Sequence, residues 1–133
     1  MPVVWAMTSL ESGQFDPVER CSELGELSSD FNQLRSRGQG YMEVRLPDSS
    51  FPQLTMGFRG DHAVIHLFTS EEDMALLTGD GTVPSEVTVD APIMDDLTSF
   101  TGDFLMRVDR AWEVVQKFSH TGTFRDLGGW CEL

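Results

Sequence analysis

Residues 53–68 read QLTMGFRGDHAVIHLF, two runs of alternating apolar residues joined by Gly60-Asp61. Alternation at every second position puts one set of side chains on one face of a strand, and Gly-Asp at the join fits a two-residue hairpin turn of type II′. With Arg59 facing His62, counting outward pairs Phe58 with Ala63, Met56 with Ile65 and Leu54 with Leu67. All three pairs are apolar, and a slip of one residue destroys the match, so the pattern sets the register. The opposite face carries Gln53, Thr55, Gly57, Arg59, His62, Val64, His66 and Phe68, a mixed surface suited to solvent, a second layer or a partner.

Upstream, Tyr41 to Leu46 alternates with Met42, Val44 and Leu46 on one side and predicts a strand, closed by the turn residues Pro47-Asp48-Ser49-Ser50. Further back, Asp16-Pro17 has the form of an N-cap and first helical residue. Val18, Cys21, Leu24, Leu27, Phe31 and Leu34 then recur at steps of three or four, which predicts an amphipathic helix interrupted near Gly25 and ended by Gly38 and Gly40. Downstream, Thr69-Ser70-Glu71-Glu72-Asp73 resembles a capped helix start, but Met74–Leu77 is short enough for one helical turn or a brief strand. Glu86 to Ala91 alternates as a strand ended by Pro92, and Phe100 to Met106 is ambiguous. From Asp109 a helix begins, with Val108, Ala111, Trp112, Val115 and Phe118 as its buried stripe and Gly122 as its stop; Gly128–Leu133 supplies a last short strand. The order predicts an α+β fold: a mostly antiparallel sheet of about five or six strands packed against an N-terminal helical segment and a C-terminal helix. No repeat or linker divides residues 1–133, so one domain is expected.

The 133 residues carry 22 acids against 9 Lys+Arg, a formal net charge of -13. Nucleic acid and anionic membrane reward Lys/Arg clusters, so neither is an expected ligand; a basic partner is. Met1–Thr8 lacks the charged and apolar regions of a signal peptide, and no run of about 18 apolar residues exists, which predicts a soluble cytoplasmic protein. Cys21 and Cys131 have no metal-ligand spacing; the expectation is reduced cysteines packed as small apolar groups, with a disulfide between them left open.

The chemistry-bearing residues are thin. His62 and His66 form an H-x-x-x-H pair, but on a strand four residues span about 13 Å, too far for one metal ion. Asp95-Asp96 point to opposite faces if extended, and Ser119-His120 sits at a helix end with no positioned acid. No phosphate-binding glycine motif or nucleophile elbow is present, so no catalytic residue, metal or cofactor is expected. The charge distribution says more. Ten of the 22 acids and none of the basic residues fall in the 47 residues from Gly60 to Met106, leaving twelve acids against nine bases elsewhere. A solvated acidic face accounts for such a window, as does a docking surface for a basic partner. On the second reading the partner-binding residues are Glu71, Glu72, Asp73, Asp80, Asp95 and Asp96. Trp5, Trp112 and Trp130 are expected in the core.

The helix Val108 to Ser119, then Thr121-Gly122, a short spacer and a terminal strand carrying Trp130 and Glu132 (AWEVVQKFSHTGTFRDLGGWCEL) resembles the first-numbered Imm family of bacterial immunity proteins. The resemblance implies an α+β protein encoded beside a polymorphic toxin, often a nucleic-acid deaminase, that it blocks by direct binding. The charge adds that this toxin partner is basic, and no catalytic residue follows from the resemblance. Two other readings stand beside it: a small enzyme or ligand-binding domain with a histidine pocket, and a housekeeping interaction module.

Overall fold

A computed structural model describes residues 2–133. In chain order the elements are β1 (Pro2–Thr8), β2 (Phe15–Glu23), α1 (Leu24–Ser36), β3 (Gln39–Arg45), β4 (Gln53–Arg59), β5 (His62–Phe68), β6 (Met74–Leu77), β7 (Thr88–Ile93), β8 (Asp96–Thr101), β9 (Met106–Arg107), α2 (Val108–Thr121) and β10 (Trp130–Glu132). The class is the expected α+β, with more strands than predicted. Eight strands form one antiparallel sheet in the order β10-β6-β5-β4-β3-β1-β2, with β9 also paired to β5; β7 and β8 form a separate hairpin.

The β4–β5 register is the one the alternation predicts: Arg59 faces His62, Phe58 faces Ala63, Met56 faces Ile65 and Leu54 faces Leu67. Those apolar residues join Trp5, Met42, Leu27, Phe31, Val115 and Phe118 in a core between the sheet and both helices. Phe31 sits at its centre, stacked on Trp112 at 4.5 Å and edge-on to Phe58 at 5.7 Å. Gly122 ends α2 as expected: its φ of 69° is a left-handed conformation that glycine adopts without strain, and its N–H reaches the Phe118 carbonyl at 2.8 Å.

Two expected helix starts are corrected. Asp16-Pro17 does not start a helix. Residues 15–23 form an edge strand on β1, whose register jumps between Trp5 and Met7, so that Pro17, Val18 and Glu19 lie in a bulge opposite Ala6. Proline is tolerated at an edge bulge because no ladder bond needs its N–H. Val18 is accordingly 66% exposed, and the helix starts only at Leu24, burying Leu27, Phe31 and Leu34. Thr69–Asp73 is likewise not a helix start: the Ser70 hydroxyl accepts the N–H groups of Glu72 and Asp73 at 3.2 and 3.0 Å, but the chain then enters β6, where the free side of β5 pairs it.

The mixed face of β4 and β5 meets a second layer. β7 crosses it at Gly57, where an added Cβ would stand 2.2 Å from the Pro92 carbonyl oxygen, and Ala91 packs on Val64 and Leu76 in a small second core. Glycine at 57 is what lets the two backbones approach. Cys21 and Cys131 are both free and exposed, not packed, and lie on β2 and β10, the two opposite edges of the sheet, so no disulfide joins them. Of the tryptophans, Trp5 is core, whereas Trp112 and Trp130 are half-buried against it.

Candidate functional site

The six singled-out carboxylates divide into three groups. Glu71, Glu72 and Asp73 are exposed in the loop from β5 to β6. Asp80 is a staple: one carboxylate oxygen accepts the Thr82 N–H at 3.0 Å and the other the Arg107 N–H at 2.9 Å, tying the chain after β6 to β9. Burial pushes the Asp80 carboxyl upward, but a bond from the Thr82 hydroxyl, together with the two backbone N–H bonds, outweighs it and holds it below the usual range. Asp95 and Asp96 sit at the tip of the β7–β8 hairpin. The loop at 71–73 follows the end of β5, whereas Asp80 lies beside β9, which pairs with the start of β5; seven residues of strand, about 20 Å, separate those ends. The carboxylates do not form one patch.

The hairpin tip has the most distinctive construction of the three. Met94 holds a positive φ of 57°, unusual for a side chain of that size, to close the turn between β7 and β8. Asp95 accepts the Phe15 N–H at 2.7 Å, which pins the tip to the start of β2 across 80 residues of chain. Met94 and Leu97 flank the two acids and are each 51% exposed, although both are large and apolar. Between the tip and the β1–β2 connection lies an open cleft of about 320 Å³, lined among others by Thr8, Gly13, Arg37, Pro92, Met94 and Leu97. Exposed apolar side chains beside carboxylates supply what a protein contact needs, an apolar centre with a polar rim. The acids were visible in the sequence; Met94 and Leu97 were not, because an apolar residue in a strand-forming stretch carries no local sign of exposure.

The sheet face under the hairpin carries a transverse polar row. His66 faces Thr55 and Thr55 faces Glu43 across β5, β4 and β3. The Tyr41 hydroxyl donates to Glu43 Oε2 at 2.8 Å. Burial pushes the Tyr41 phenol well above its usual value. The Glu43 carboxyl is raised by burial first, lowered by the Tyr41 bond, and raised again by Glu19. His66 packs against the rings of Phe68 and Phe100, and burial lowers its pKa to about 4, so the imidazole is neutral at pH 7. Among the described residues no group of three or more His, Cys, Asp or Glu is placed to hold a metal ion, and no helix is long and apolar enough to cross a membrane. Among the described residues no fully buried side-chain nitrogen or oxygen lacks a hydrogen-bond partner, which is how buried polar groups are tolerated.

The geometry defines a class: an antiparallel α+β protein with helices on one sheet face and an acidic, apolar-tipped hairpin on the other. Compared with known families, the chain matches no family model, and it matches no curated protein.

Proposed function

We propose that this chain is an intracellular immunity protein that binds a basic cognate toxin, one acting on nucleic acid as a deaminase or nuclease, and neutralises it by masking its active site. The observation that carries the reading is the hairpin tip: exposed Met94 and Leu97 beside Asp95 and Asp96, in a stretch of 47 residues without a single Lys or Arg. A nucleic-acid enzyme presents a basic groove to its substrate. An acidic protrusion with apolar anchors complements such a groove, is steered to it by charge, and gains affinity from the apolar contact. The C-terminal motif's resemblance to an immunity family supports the same reading.

The test is inhibition. The toxin encoded by the adjacent reading frame is assayed on nucleic acid with increasing amounts of this protein. Activity is expected to vanish at one-to-one stoichiometry, and association is expected to slow as salt rises. Full toxin activity in the presence of excess protein overturns the proposal.

A further inference from the structure

At the other end of β5, the β5–β6 loop and β10 enclose a cleft of about 340 Å³ whose lining differs in kind from the one at the hairpin tip. Two aromatic rings contribute, Phe124 and Trp130, with centroids 6.4 Å apart and planes at 79°. The Trp130 indole N–H donates to the Phe124 carbonyl at 2.8 Å, so the larger ring is fixed before any ligand arrives. Two carboxylates, Asp73 and Glu132, share the lining. Asp73 Oδ2 accepts from the Ser70 hydroxyl at 3.0 Å, which holds this carboxylate in the loop. Among the described residues neither acid pairs with a Lys or Arg. Elsewhere in the same molecule a tryptophan face is occupied: Arg20 lies 4.9 Å above Trp5. No such cation lies over Trp130 or Phe124 among the described residues.

Aromatic faces and carboxylates around one hollow are the lining that suits a desolvated organic cation, whose charge is attracted by ring quadrupoles and balanced by the acids. We propose that this cleft binds the guanidinium or alkylammonium group of an arginine or lysine side chain carried on a peptide segment. A peptide is favoured over a free amine because β10 ends the sheet, and its outer edge offers main-chain groups beside the cleft. Glu71 and Glu72, in the same loop as Asp73, extend the negative field toward whatever flanks that side chain. The site is defined by its lining and does not depend on the partner being a toxin.

The experiment uses the whole ¹⁵N-labelled chain and three probes: acetyl-Gly-Arg-Gly-amide, its citrulline counterpart, which has the same shape without the charge, and putrescine. The arginine peptide is expected to shift the Trp130 indole N–H and the Asp73 and Met74 amides saturably, with a dissociation constant of about 1 mM, as suits one small anchored group. The citrulline peptide is expected to bind at least about fivefold more weakly. Glu132→Gln, on the exposed edge strand, is expected to weaken the arginine peptide by a similar factor with an unchanged melting curve; Asp73→Asn is the second variant. Equal shifts from the arginine and citrulline peptides, or no saturation, overturn the site. Putrescine binding as tightly as the peptide overturns its assignment to a peptide side chain.

Discussion

One face of the eight-stranded sheet is covered by α1 and α2 and the other by a single two-stranded hairpin, and the chemistry differs with the cover. Under the helices the sheet contributes Trp5, Met42, Leu54, Met56, Phe58 and Ile65 to one continuous apolar core. Under the hairpin it contributes Tyr41, Glu43, Thr55 and His66, with only a small apolar cluster around Val64. The difference assigns tasks. Stability that is insensitive to pH and salt resides on the helical face, while the groups that titrate within the structure and the exposed tip belong to the hairpin side. Substitutions on both faces, and a pH series, test that division.

The largest effect belongs to the helical face. Phe31→Ala removes a fully buried ring that touches both Trp112 and Phe58, and the expected loss is about 3–5 kcal/mol of unfolding free energy. Urea unfolding at pH 7 measures it; a loss below about 1 kcal/mol would mean that the core does not rest on that ring. Next is Gly57→Ala. The new methyl would stand 2.2 Å from a backbone oxygen of Pro92, and because backbone cannot rotate away, the hairpin must lift. Overpacking of this kind costs about 1–3 kcal/mol, and the lift is expected to appear as faster amide exchange in β7 and β8 with β3 and α2 unchanged. Uniformly faster exchange would show instead that the two layers unfold as one.

The third prediction is a pH dependence confined to the hairpin side. His66 has its pKa lowered to about 4 by burial, against 6.5 in the unfolded chain. The unfolded state therefore binds the proton more readily, and stability that is fully present above pH 6.5 is lost as pH falls toward 4. At pH 5 the loss relative to pH 7 is about 2 kcal/mol. Glu43, raised mainly by burial, acts in the opposite direction, since its protonation favours the folded state. Asp80 and Glu19, both held low, add losses as pH falls through the usual carboxylate range and below it. His66→Gln is expected to flatten stability between pH 7 and pH 5. If the slope survives in that variant, another group carries it.

How much of this was legible in the sequence follows from which constraints are local. The β4–β5 register was readable because period-two alternation and a Gly-Asp turn agree within sixteen consecutive residues. The α2 stop was readable because Gly122 ends the stripe two turns after Val115. The β2 strand was not, since Val18, Cys21 and Leu24 fall at helical spacing by coincidence, and what decides their conformation is the unpaired side of β1, a distant segment. The second layer was only half legible: the mixed face of the hairpin showed that something had to cover it or leave it wet, but nothing near it in sequence said that Pro92 would do so. The candidate site fared similarly. Its carboxylates are composition and can be counted, whereas their separation to different ends of the sheet, and the exposure of Met94 and Leu97, are products of topology.

The smallest effect on stability is expected at the tip, where two neighbouring acids serve as each other's control. Asp95 pins the hairpin through the Phe15 N–H at 2.7 Å, while Asp96, the next residue, is exposed. Asp96→Lys should leave unfolding within about 0.5 kcal/mol of the parent, as surface substitutions do. Asp95→Asn should cost about 1 kcal/mol through the weakened anchor. Binding should reverse that order if the tip enters a basic groove. Asp96→Lys replaces an attraction by a repulsion and is expected to slow association with the cognate partner severalfold at low salt, with the difference shrinking as ionic strength rises. Met94→Ser with Leu97→Ser, by contrast, should leave the association rate near the parent's and speed dissociation, because short-range apolar contact forms only after encounter. Stopped-flow association at two salt concentrations separates the two effects. If neither variant changes either rate, the tip is a solvated turn and the contact with the partner lies elsewhere on the molecule.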